Sequence, residues 1–275
     1  MNLETVTAEY LTTLKELGVN KVELREETAR ALKNRRAPGP KKTVATDTKP
    51  KAVAAAEPAS PPLALADAEK PAALAKLSAA IAANQEYRAM FKYAKNMVFG
   101  VGNPCAKIMF IGEAPGADED EQGEPFVGRA GQLLTKMIVA MGLQRTDVYI
   151  GNIVKYRPDM PPGSSGNRKP TLNEIAISRP FICEQIRIIR PGAIVALGAT
   201  AVEGLFKTGN AAISKRRGNW TEFLDIPLMP TYHPAYLLRN PVNSEKRKVW
   251  EDLLQVMERV GMPINDKQRD FFLSK

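Results

Sequence analysis

At 275 residues, 44% of them hydrophobic, the chain is long enough for one or two domains with a sizeable core. No apolar run approaches the ~20 residues of a membrane span, Met1 to Glu9 lacks the apolar stretch of a secretory signal, and two cysteines (Cys105 and Cys183) cannot build a disulfide framework, so a reducing cytoplasm is expected. Lys and Arg outnumber Asp and Glu by 39 to 30, a net charge of +9 that favours a polyanionic partner without establishing one.

Thr5 to Arg36 reads as a helical hairpin. Tyr10, Leu11, Leu14 and Leu17 recur at helical spacing, Gly18 suits a cap, and a second helix is expected over Val22–Lys33. Such short helices bury little alone, so this extension is expected to dock on something, a partner included. Ala37 to Pro71 carries seven prolines among alanines and lysines, the composition of a disordered linker. A helix is expected over Pro71–Tyr93, then apolar runs ending in or near glycine alternate with helical stretches. Strands are expected at 106–112, 148–154, 193–198 and 228–233, and helices at 131–141, 173–189, 200–206 and 244–260. This alternation predicts an α/β fold, a three-layer α/β/α sandwich around a mainly parallel sheet, behind the helical N-terminal extension. The chain divides into 1–36, the linker 37–71, a main domain 72–265 and a tail 266–275. Ligands of such sheets bind beyond the carboxyl ends of the strands.

The unusual residues fall at those ends. Gly112-Glu113-Ala114-Pro115-Gly116 forces a tight loop open to close backbone approach, and an acidic run from Asp118 to Glu121 follows. That run reads either as a helix start or as catalytic carboxylates. Phe126, between Pro125 and Gly128, suits a stacking platform for a planar base, or a plain loop anchor. Asn152 interrupts an apolar strand and either caps a turn or reads a base edge with its amide. His233, the sole histidine, cannot build a His-rich metal site and is a candidate electrophile or acid on a Pro-rich loop. Leu237 and Leu238 beside Arg239 suit either a wedge in a DNA groove or the start of a buried helix.

Together, Gly112-Glu113-Ala114-Pro115-Gly116 with Glu119-Asp120, Gly123, Pro125-Phe126-Val127-Gly128 and Ala130-Gly131 resembles the first motif of the family 4 uracil-DNA glycosylases. His233-Pro234-Ala235-Tyr236-Leu237-Leu238-Arg239 resembles their second motif. The resemblance covers about 165 residues and leaves the first 85 or so unmatched. It implies removal of uracil from single- or double-stranded DNA by hydrolysis of the N-glycosidic bond, in base excision repair, by a monomer in the cytoplasm (at the nucleoid in a bacterium). It further implies Glu119, Asn152 and His233 as catalytic, and Glu113, Ala114, Gly116, Phe126, Asn152 and His233 around the uracil. Arg129, Lys155, Arg157, Arg168, Arg217, Leu237, Leu238 and Arg239 would meet DNA. Within this assignment Glu119 is expected to handle the attacking water, and Glu113 to wall the pocket. Two alternatives stay open: the same fold acting on another deaminated base, and a non-catalytic DNA-binding scaffold.

Similar family members hold a [4Fe–4S] cluster on four cysteines. Their positions fall here at Gln85, Arg88, Tyr156 and Ile177 or Ser178. Neither Cys105 nor Cys183 aligns, so no cluster, cofactor or metal is expected. The segment 71–93, or the N-terminal hairpin, is expected to brace the domain instead.

Overall fold

The computed structural model describes residues 65–161, 163–164, 166–207 and 212–273. The hairpin expected at 5–36 and the linker as far as 64 lie outside the described residues.

The expected helix over 71–93 is two. Helix α1 (Lys70–Ala83) begins with Pro71, whose fixed φ suits a first turn, and buries Leu74 and Ile81. It ends at Asn84, whose side chain accepts from the Tyr87 amide at 2.8 Å and starts α2 (Gln85–Ala89). Next come β1 (Val101–Gly102), β2 (Ile108–Gly112), α3 (Ala117–Gln122), α4 (Arg129–Ala140), β3 (Tyr149–Asn152), α5 (Leu172–Ile189), β4 (Ala193–Leu197) and α6 (Ala199–Phe206). The chain continues with α7 (Ile213–Arg216), β5 (Thr221–Phe223), β6 (Ile226–Thr231), α8 (Pro234–Arg239), α9 (Asn243–Arg259) and α10 (Asp266–Arg269).

The six strands lie in the order β1-β3-β2-β4-β6-β5. The inner four are parallel, and the short β1 and β5 pair antiparallel as edges. Successive side chains of a strand point to opposite faces, and both faces here are apolar. Met109, Ile111, Ile194 and Ala196 join a core with residues of α1, α5 and α6, whereas Ile108, Phe110, Val195 and Leu197 join one with residues of α4 and α9. The expected three-layer sandwich is the fold observed.

The segment after 265 is packed rather than a free tail. The Trp250 indole donates to the Gln268 carbonyl, the Gln268 amide donates to Ala140, and the Phe271 ring lies 5.2 Å from that of Trp250. These contacts cover part of the apolar face of α9.

Candidate active site

The register brings the carboxyl ends of the inner strands side by side. Gly112 pairs with Asn152, and Leu197 with Thr231, two residues before His233. Gly112 is required by space, since a Cβ there would stand 2.4 Å from both Asn152 Oδ1 and the Phe126 ring. Asn152 is almost fully buried, and its Oδ1 has no hydrogen-bond partner. An unsatisfied buried acceptor costs about 1–3 kcal/mol, so its persistence points to a ligand that supplies the donor.

Phe126 adopts a left-handed backbone conformation (φ 56°). Arg145 holds this turn, donating to the carbonyls of Pro125 and Phe126 at 2.9 and 3.2 Å. Gly131 leaves room for it, because a Cβ there would overlap the Phe126 carbonyl at 1.8 Å. The Phe126 ring faces His233 at 5.7 Å between centroids, inclined by 30°. On the other side Gly198 (φ 91°) permits the approach of His233, to whose Cβ an added Cβ would come within 3.0 Å.

The His233 side chain caps α8, with Nδ1 accepting from the Ala235 amide at 3.1 Å. That bond places the proton of a neutral ring on Nε2. Burial, with the charge of Arg239 nearby, lowers the pKa to about 4, so the ring is neutral at physiological pH and donates through Nε2.

The two carboxylates of the first loop differ. Glu119 Oε2 accepts from the Gly116 amide at 3.0 Å, and Oε1 accepts from the Val127 and Gly128 amides, each at 3.0 Å. It clamps the Gly116 turn to the loop carrying Phe126. Three backbone donors thus hold its two oxygens. Glu113, one residue beyond the strand end, is half-buried. Desolvation raises its pKa against a hydrogen bond from Thr200 on α6 and the positive charge of Lys169. Lys169 in turn pairs with Glu203 at 2.7 Å. Ala114 and Gly116 line the same loop, Ala114 packing on the core and Gly116 closed in by Glu119 and Asn167.

Residues 99–254 match the family model of the uracil-DNA glycosylase superfamily. The chain is 47% identical over 159 residues to the type-4 uracil-DNA glycosylase of Thermotoga maritima, covering 58% of this chain and 80% of that protein. It is 45% identical over 177 residues to the type-4 enzyme of Saccharolobus solfataricus, covering 60% and 79%. A type-5 uracil-DNA glycosylase of Pyrobaculum aerophilum is more distant, at 29% identity over 176 residues. The chain belongs to the uracil-DNA glycosylase superfamily.

Of the residues expected to meet DNA in this superfamily member, four are engaged elsewhere. Lys155 is fully buried. Arg168 grips Glu174 with both terminal nitrogens, at 2.8 and 2.6 Å. Arg217 grips the buried Asp252 and donates to the Lys248 carbonyl. Leu237 sits in the core, which leaves Leu238 as the exposed member of the pair. Arg129 and Arg239 are exposed, and Arg157 is half-buried, donating to the Gly166 carbonyl at 2.7 Å. Arg168 and Arg217 are thus held by carboxylates, Glu174 six residues away and Asp252 35 residues away.

The four positions to which the resemblance assigned cluster cysteines carry side chains that do not fit a cluster. Gln85 is exposed and Arg88 lies over the Tyr156 ring, 5.2 Å from its centroid. The Tyr87 hydroxyl meets Ser178 Oγ at 2.8 Å and accepts from the Lys155 amide at 3.0 Å. The Tyr87 ring packs within 5.5 Å of Phe91, Tyr156 and Phe181. These side chains are no thiolates, and their bulk occupies the space between α2, α5 and the segment after β3. Tyr87, Thr200 and Arg145 were missed in the sequence, where nothing distinguishes them from ordinary helix and loop residues.

Proposed function

We propose that the protein excises uracil from DNA by hydrolysing its N-glycosidic bond, in base excision repair. The observation that carries this reading is the unpartnered Asn152 Oδ1 beside the Phe126 ring. Uracil offers an N3–H donor next to the O4 acceptor, which an amide pairs with in two bonds, Oδ1 accepting and Nδ2 donating. Cytosine has an acceptor at N3 and a donor at C4, so the same amide, held in place, meets it with like against like. Phe126 stacks on the flipped ring.

As the C1′–N1 bond breaks, its electron pair passes to the base and positive charge grows on the sugar. His233 Nε2–H, held neutral by burial, donates to the uracil oxygen that gains negative charge, a stabilisation worth on the order of 10²-fold or more in rate. Water adds to C1′ and loses its proton. Glu113, whose raised pKa suits a proton acceptor, takes the water-handling role here in place of Glu119. In the same reading the chain works as a monomer in the cytoplasm, on single- or double-stranded DNA, and without an iron–sulfur cluster. Among the described residues no helix is long and apolar enough to cross a membrane.

Incubating the protein with a uracil-containing oligonucleotide, then cleaving abasic sites with alkali, tests the activity. Strand scission at uracil and not at cytosine or hypoxanthine is expected. Its absence at stoichiometric protein would favour the scaffold reading, and scission at hypoxanthine would favour a broader pocket. Freshly purified protein is expected to lack iron and the visible absorbance of a cluster.

A further inference from the structure

Lys155 has no exposed surface, so its ammonium cannot reach a phosphate. Its Nζ donates to the Asn152 carbonyl at 2.8 Å, to the Phe99 carbonyl at 3.2 Å and to Gln185 Oε1. Three N–H donors meet three acceptors, and all three acceptors are neutral. The Gln185 amide donates to the Phe99 carbonyl and the Tyr149 hydroxyl at 3.0 and 3.1 Å, which turns its Oε1 toward the lysine. Burial lowers its pKa to about 7, so the group carries its charge at pH 6 and loses it above neutrality. A buried cation held by dipoles rather than by a carboxylate is costly, and a fold that keeps one has a use for its field. Here the field originates directly behind the residue that reads the base.

We propose that Lys155 is a positioning residue whose buried ammonium fixes the Asn152 peptide and stabilises, through space, the uracil anion as it departs. The inference rests on the reading of uracil excision. When the C1′–N1 bond breaks, the pair that leaves with N1 spreads onto O2 and O4. His233 serves one oxygen and the Asn152 amide the other, while the Lys155 ammonium lies across the strand, at the Asn152 carbonyl and beside Gly151. A fixed cation inside the protein is screened far less than one in water, so it acts on that charge without touching it.

The test is the dependence on the leaving group. Lys155→Met and wild-type protein are compared in single turnovers at pH 6, on oligonucleotides carrying uracil or 5-fluorouracil. Fluorine stabilises the departing anion, so the fluorinated base needs less help from the protein. Lys155→Met should slow uracil release about tenfold or more, as loss of a preorganised electrostatic partner does. It should slow 5-fluorouracil release several-fold less. The ratio of the two rates in one preparation is independent of how much of the variant is folded. Gln185→Leu removes one acceptor of the ammonium and should reproduce part of the same difference between the two substrates. Equal slowing of both by Lys155→Met overturns the proposal and leaves the lysine a packing element. Wild-type protein that releases neither base overturns the underlying reading, and this inference with it.

Discussion

The base pocket and the aromatic brace beneath it treat buried polarity in opposite ways. In the pocket Asn152 Oδ1 is buried and unpartnered. In the brace the Tyr87 hydroxyl is buried too, yet it is engaged by Ser178 and by the Lys155 amide. A polar group left open inside a protein costs stability and persists where a ligand closes it, whereas one already satisfied stabilises the fold itself. Function and stability are thus separated between the two ends of one short stretch, Asn152 to Tyr156. The brace fills the positions at which the sequence resemblance led to the expectation of cluster cysteines, and the motifs of the pocket remain whole beside it.

The sharpest way to break this comparison is at the pocket. Asn152→Ala and His233→Ala should each lower single-turnover excision about 10²- to 10³-fold, with binding of undamaged DNA retained in a gel-shift titration. Either variant excising at the wild-type rate would remove the residue from the chemistry. The two carboxylates come next. Glu113→Gln should cost about 10²-fold in rate with an unchanged melting temperature. Glu119→Gln should chiefly lower stability, by about 1–3 kcal/mol in urea unfolding, because it weakens a clamp on three amides. The opposite pattern would restore water handling to Glu119.

A smaller effect follows from pH. Burial holds the folded His233 near 4, against an ordinary value of 6.5. Between those values the unfolded chain binds a proton that the folded one refuses, so the unfolded state binds more protons and stability rises with pH. The contribution is complete above about 6.5 and gone below about 4. Unfolding at pH 5 and pH 7 should therefore show wild type losing about 1–3 kcal/mol more than His233→Asn on acidification. The smallest change is expected in the brace. Tyr87→Phe removes the hydroxyl and should cost about 1 kcal/mol of stability with excision untouched; a loss of excision instead would tie brace and pocket together.

How much of this was legible depended on the residue. The four inner strands are buried on both faces, so each appears in the sequence as an apolar run, and each was found. Edge strands β1 and β5 span two and three residues and leave no such trace. Gly112, Phe126, Asn152 and His233 were visible because each breaks the pattern of its surroundings at a strand end. Lys155 was misread because a sequence displays a charge but not its direction. The turn after β3 folds its side chain back beneath Asn152, three residues earlier. The clamp made by Glu119 left no trace for the same reason, since its amide partners at 127 and 128 come from the far side of a loop.

The Glu119 clamp has a consequence for how damage is found. With the Gly116 turn and the Phe126 loop fastened together, the pocket is already formed before DNA arrives. A pocket held in this way is expected to capture bases that have already left the helix. The work of leaving then falls on the base pair, and is least where pairing is weakest. Uracil opposite guanine, the product of cytosine deamination, should be reached sooner than uracil opposite adenine, with the duplex rather than the enzyme setting the order.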